Sequence, residues 1–307
     1  MIASRPSVQL YPVARISRGG SVLAVLVVGL IGMAACGGSS EPSVPNRPSA
    51  TAASATAVTT TTDGNLSQAG DDIRVNPELV NEGGDFTTAV PILYDLPSDD
   101  PLRTGVSVDT ALDLVERVRN IGGYDVGQLQ IRLTLESRRN QKIVVSGLDL
   151  TDVKESTAIR GTLLRLNEEG GVPNEQLVYN LSDSLPRAHE TKADGTIDES
   201  PYFMNKSIEV GANEPTVVLA QFNAKPQHST EFKLRLSYRS AGKSRNAIID
   251  NAGHPFKVTS VSCNQPGTYV SDYDHAYTME TDPTYGLVMT LAPDPHNVSA
   301  GLLCPSN

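Results

Sequence analysis

Side chains with chemistry to offer are few in this chain, and they stand apart. Asp272, Asp274, His275, Glu280 and Asp282 fall close together near the C-terminus. Several carboxylate oxygens on a flexible loop suit a hard cation such as Ca²⁺, while carboxylates on an exposed loop are more often simply solvated. Asp95, Asp99 and Asp100 make a smaller group around Pro97 and Pro101. Ser240-Ala-Gly-Lys243 fits a Ser-x-x-Lys nucleophile box, but the companion Ser-Asp-Asn and Lys-Thr-Gly elements are missing. The surrounding alternation instead predicts a hairpin turn there. His189, His228, His254, His275 and His296 include no pair at metal or triad spacing. His254 sits in a turn-like Asn-Ala-Gly-His-Pro-Phe run, which suggests a surface or turn-packing role. No GxSxG, HExxH, P-loop, GxGxxG or EF-hand pattern occurs. Asn65, Asn180, Asn205 and Asn297 lie in Asn-x-Ser sequons. The residues alone therefore predict no catalytic group, no metal and no cofactor.

One cysteine has a marked setting. Val22 to Cys36 reads VLAVLVVGLIGMAAC, preceded by Arg5, Arg15 and Arg18 and by no acidic residue. Basic residues ahead of a short apolar run orient a signal segment. The run is shorter than the roughly 20 residues a membrane-spanning helix needs. A short uncleaved anchor, and a cleaved signal with an unmodified Cys36, are the alternatives. This arrangement resembles the signal peptide of a bacterial lipoprotein, with Met33-Ala34-Ala35-Cys36 as the lipobox and Met33 where Leu is commoner. The resemblance implies cleavage before Cys36, a diacylglycerol thioether on its sulfur, and a lipid-anchored protein on the extracellular side of the cell membrane.

Residues 37–70 are almost wholly Gly, Ser, Thr, Ala and Pro. Such a segment has no apolar face to offset its ordering entropy, so a disordered tether is expected, with an end-to-end distance of roughly 30 to 35 Å. It reads as a spacer through the cell wall, although Thr59–Thr62 could instead carry O-linked sugars. Beyond Cys36 the chain holds 22 basic and 35 acidic residues. So acidic a surface repels nucleic acid and anionic headgroups, which leaves anchoring to the acyl chains. Trp is absent and aromatics are few, which argues against an aromatic-lined carbohydrate or peptide cleft.

Cys263 and Cys304 are the remaining cysteines. In the oxidising compartment that export implies, two such thiols most simply pair with each other. Closing that loop of about 42 residues would stabilise the fold by roughly 4 kcal/mol through lost unfolded-state entropy. A metal site is the alternative, but neither a CxxC nor a His lies at ligand spacing.

The elements that would position these groups are mostly strands. Between residues 71 and 124 the chain looks irregular, punctuated by Pro77, Pro91, Pro97 and Pro101. Within it, residues 109–120 place Ala111, Leu112, Val115 and Val118 on one helical face, followed by Gly122-Gly123. Val106, Val108, Thr110, Leu112 and Leu114 also alternate, which keeps a strand open there. From Gln128 to Glu136 apolar residues alternate without a break. Further strands are expected at residues 142–150, 158–166, 176–181, 207–210, 217–222, 268–270 and 285–292. The clearest hairpin runs from Glu231 to Asp250, followed by another strand from Pro255 to Val261.

The reading is mainly β: an antiparallel β-sandwich with one short N-terminal helix. Its expected parts are a signal peptide (1–35), lipidated Cys36 and tether (36–70), an irregular lead-in with one helix (71–127), and a sandwich with a disulfide-stapled C-terminal segment (128–307). Phe232-Lys-Leu-Arg-Leu-Ser-Tyr238, Gly242-Lys243, Ile249-Asp250-Asn251 and Gly253-His-Pro-Phe256 resemble the C-terminal half of uncharacterised actinobacterial secreted or membrane-anchored proteins. That resemblance implies compartment and fold but no activity. The function expected is a non-enzymatic binding or scaffolding module with an unidentified protein or cell-wall partner. An extracytoplasmic small-ligand carrier and an unfamiliar hydrolase are the alternatives.

Overall fold

Alternation in the sequence becomes alternation in burial along most of the chain, and this assembles two sheets. The computed structural model describes residues 72–80, 86–105, 108–166, 176–192, 195–263, 272–282 and 286–297. All of these belong to the second of two units, Thr59–Asn307. In chain order the elements are β1 (Ile73–Val80), β2 (Phe86–Val90), a 3-10 turn (Pro101–Arg103), α1 (Val108–Asn120), β3 (Tyr124–Val126), β4 (Gln128–Ser137) and β5 (Ile143–Thr157). Then follow β6 (Thr162–Leu166), β7 (Gln176–Asn180), β8 (His189–Glu190), α2 (Tyr202–Asn205), β9 (Ile208–Val210), β10 (Thr216–Asn223) and β11 (His228–Ser240). Last come β12 (Lys243–Ile249), β13 (Phe256–Thr259), β14 (His275–Asp282), β15 (Gly286–Leu291) and a second 3-10 turn (Pro295–Asn297).

The smaller sheet has the order β1-β4-β10-β7-β8. The larger has the order β15-β14-β6-β2-β3-β13-β11-β5-β9, with β12 also paired to β11. Leu129, Ile131, Leu133 and Leu135 of β4 are buried as their alternation predicts, and they join Leu234, Leu236 and Tyr238 of β11 in the central core. Four aromatic rings cross that core in sequence: Tyr179 stacks on Phe222 at 4.6 Å, Phe222 meets Phe232 at 4.7 Å, and Phe232 meets Phe256 at 5.9 Å.

Only part of the larger sheet faces the smaller one. On the remainder, α1 takes the covering role, burying Leu114, Val115 and Val118 against Leu164, Leu166, Tyr277, Met279 and Met289. The helical reading of residues 109–120 thus prevails over the strand. Its end is fixed by Gly122 at φ +98°, with the Gly123 amide donating to Val118 O at 2.8 Å and the Gly122 amide to Arg119 O at 3.1 Å. These are the two bonds of a Schellman stop.

The sandwich is present with ten antiparallel strand pairs among the described residues, and three parallel pairs are added: β10 with β7, β13 with β3, and β14 with β6. The expected irregular lead-in over 71–127 is corrected. β1 pairs with β4 along eight residues, and β2 and β3 are interior strands of the larger sheet. Pro77 fits within β1 because proline, excluded from central strands, is tolerated on an edge, where β1 lies. The strand expected at 268–270 lies outside the described residues.

Two ion pairs fix the margins. Asp72, just before β1, is buried and lies 2.8 Å from both Arg139 Nε and Arg245 Nε. Asp100 caps the first 3-10 turn by accepting from the Leu102 amide at 3.0 Å, and it accepts from Arg117 of α1 at 3.0 Å.

Gly161 is pressed against the segment after β2: a methyl group there would stand 2.6 Å from Ile92 O and nearer still to Val90 O. Gly161→Ala should cost roughly 1–3 kcal/mol, read as a lowered urea midpoint with unchanged slope. Burial pushes the Asp100 carboxyl up, but the Arg117 and Leu102 hydrogen bonds outweigh it and hold it below its ordinary value of 3.8. Its contribution is therefore present above that value and lost as pH falls through the lower folded one. The stability gap between wild type and Asp100→Asn should be full near about pH 5 and close towards about pH 2; a gap constant with pH would contradict the ion pair.

Candidate functional site

The residues singled out by type do not converge. Cys36 and Cys304 lie outside the described residues. Cys263 is half-buried, packs against the cluster of Tyr124, Val261 and Tyr273 alongside Ala292, and has its Sγ 3.5 Å from Val261 O. The acidic stretch is not a loop, because most of it is β14. Asp272 pairs with Arg160, His275 Nδ1 lies 3.6 Å from Asp95 Oδ1, and Glu280 is exposed five positions along an extended strand. At about 3.4 Å per residue that separates His275 from Glu280 by about 17 Å. Among the described residues no group of three His, Cys, Asp or Glu side chains is placed to hold a metal.

The other candidates have local roles. His189 Nδ1 is 2.8 Å from Asp198 O, and His228 Nδ1 is 2.7 Å from Pro226 O. His254 is exposed in the turn after β12, where its amide and carbonyl bond to those of Asn251. Ser240 and Lys243 bracket Ala241 and Gly242 at φ +48° and +76°, the two positive angles of a type I′ hairpin turn. The Ser240 hydroxyl accepts from Gln141.

What the fold does create is a cleft of about 450 Å³ at the open side of the sandwich. One wall is β5. Past its pairing with β9 at residues 143–145 this strand runs on, bonded along one edge only among the described strands. A bulge at Asp152, φ +53°, turns Val153 outward. The facing wall is the connection from β7 to β8, carrying Leu181, Leu185 and Arg187. That connection is set by Leu181 N donating to Asn223 O at 3.1 Å and by Asn180, whose side chain accepts from Ser182 N and donates to Asp183, both at 3.1 Å. One residue before Asp149 of the cleft wall, Leu148 O accepts from the Tyr179 hydroxyl, which crosses between sheets, at 2.7 Å. Burial, with the Asp149 charge, pushes that hydroxyl well above its ordinary pKa, so it stays a donor.

Three features distinguish the cleft. Val153 and Leu185 are 49% and 63% exposed, large apolar side chains left to water on its two rims. Thr230 lines the cleft while only 2% exposed, and its hydroxyl has no hydrogen-bond partner among the described residues. A buried orphan hydroxyl costs about 1–3 kcal/mol. Arg235 and Asp149 pair at 3.4 Å on the rim, and Lys225 and Glu155 pair at 2.7 Å.

A second, polar pocket of about 250 Å³ lies where the end of α1 meets the turn after β12. The Tyr124 hydroxyl donates to Glu231 at 2.6 Å, and Lys257 Nζ stands 3.7 Å from the same carboxylate and 5.2 Å above the Tyr124 ring. Arg119 grips Asp125 at 2.7 and 3.3 Å. Burial, then the Glu231 hydrogen bond, raises the Tyr124 pKa, which keeps its proton in place. These charges compensate one another.

No protein family matches this chain, and neither do the curated proteins or solved structures with which it was compared. Among the described residues no helix is long and apolar enough to cross a membrane.

Thr230→Val should stabilise the isolated protein by about 1 kcal/mol or more, since it removes an unsatisfied hydroxyl and keeps the side-chain shape. Thermal unfolding checks this. A destabilised variant would mean that the hydroxyl already has a partner.

Proposed function

We propose that this chain is a bacterial cell-surface lipoprotein whose sandwich is a non-enzymatic binding or scaffolding module. The anchor proposed is lipid on Cys36, which sets the body at the outer face of the cell membrane. The basic leader, the short apolar run and the Met33-Ala34-Ala35-Cys36 sequence support that address. The Gly/Ser/Thr/Ala/Pro stretch over 37–70 supports a spacer beneath the body. A Cys263–Cys304 disulfide belongs to the same reading. It is supported by the oxidising compartment and by Ala292, twelve residues before Cys304, packing against the same buried cluster as Cys263.

The observation that carries the binding role is the cleft between β5 and the β7–β8 connection. It combines two exposed apolar rims, charged rim pairs and an unused hydroxyl, which together suit the side chains of an extended protein or cell-wall segment better than bond cleavage. Its volume of about 450 Å³ also favours a second reading, a small-ligand carrier, since ligand pockets span about 300–1,000 Å³.

Two experiments on intact cells test the proposal. Labelling with an alkynyl fatty acid should mark the wild type, whereas Cys36→Ala should lose the label and release protein into the medium. A photo-crosslinking amino acid at Leu185 should yield a discrete adduct that the same probe at Leu93, exposed in the segment after β2, does not. Equal adducts at both positions would remove the cleft from the argument.

A further inference from the structure

Among the described strands the sheet edges are protected, with one exception. β1 carries Pro77 together with Arg74 and Glu78, and β12 carries Lys243 and Arg245. The free run of β5 has a bulge and the charges Asp152, Lys154 and Glu155. β8 and β9 are two and three residues long. Bulges, charges, prolines and short strands are the devices that discourage edge pairing. β15, GLVMTL, has none of them: it is six residues without charge or proline, at the end of the larger sheet, and is paired only to β14 among the described strands. Leu291 is 47% exposed.

We propose that the β15 edge is a self-association surface, occupied by β15 of a second copy in antiparallel register about Met289. In that register the face carrying Met289, packed under α1, is on the same side of the joined sheet in both copies. Directly opposite residues share a face, so Leu287 meets the second copy's Leu291 twice, and Val288 meets its Thr290 twice. Every opposed pair is apolar or β-branched, and no like charges meet.

The length of chain beyond β15 argues for a second copy over the protein's own tail, and this step rests on the proposed Cys263–Cys304 disulfide. Ala292 donates to Ala276 O at 2.8 Å, and Ala292 and Cys263 pack against the same buried cluster, so the proposed bond would tie the chain back to that cluster, which holds Ala276 opposite Ala292 at the Leu291 end of the edge. Running to Gly286 and back is about 34 Å, roughly ten residues of extended chain. Six residues lie between Asn297 and Cys304.

The test is sedimentation equilibrium of the full detergent-solubilised chain, with non-reducing peptide mapping as a separate measure of the disulfide. Expected is a monomer–dimer equilibrium in which Leu291→Lys raises the dissociation constant at least about tenfold. Val217→Lys, exposed on β10 of the smaller sheet, should leave it unchanged. Leu291 is exposed enough for the substitution to fold, which circular dichroism checks, and Thr290→Lys should repeat the effect from the opposite face. A dimer indifferent to both β15 variants, or a monomer with the disulfide intact, overturns the inference and leaves the disulfide standing. A monomer in which mapping finds Cys304 unbonded overturns both.

Discussion

The stack of Tyr179, Phe222, Phe232 and Phe256 holds the two sheets together. Tyr179 and Phe222 belong to the smaller sheet, Phe232 and Phe256 to the larger, and all four are at most 1% exposed. The chain has no tryptophan and only five phenylalanines, and three of those five are in this stack. Ring pairs of this kind add about 0.5–1.5 kcal/mol each beyond the area they bury. β11 gives Phe232 its position, because it pairs with β5 along one side and with β13 and β12 in succession along the other.

From that centre outward, covering runs short. Five strands cannot roof a sheet twice as wide, so α1 and the first 3-10 turn cover the β6, β14 and β15 part. Where neither layer reaches, features open: the cleft beside β5, and the β15 edge, unpaired among the described strands. Both follow from a mismatch between sheets of five and ten strands. The Asp100–Arg117 pair gains its significance in the same way, because it ties the second covering layer to itself.

Strands announced by strict alternation were legible in the sequence: β4, and β11 with β12 around Ala241-Gly242, occur almost where the pattern placed them. The helix was legible from its spacing and its paired glycines, which supply the φ > 0 stop. β14 was not, because His275 and Glu280 drew attention to charge and away from the buried Ala276, Tyr277 and Met279. β1 was concealed by Pro77. The cleft had no sequence signal. Thr230 and Leu185 are 45 residues apart, and an unsatisfied hydroxyl is a property of packing that no local pattern encodes. The same holds for Tyr124 and Glu231, joined across 107 positions.

Asp72 has a mechanical meaning as well as an electrostatic one. Arg139, from the β4–β5 connection, and Arg245, from β12, hold the same buried carboxylate, so the residue that leads into β1 is fastened to both sheets at once. A pull on the start of β1 is shared between the layers before it can peel that strand from β4, and Asp72 is the rivet that such a load meets first.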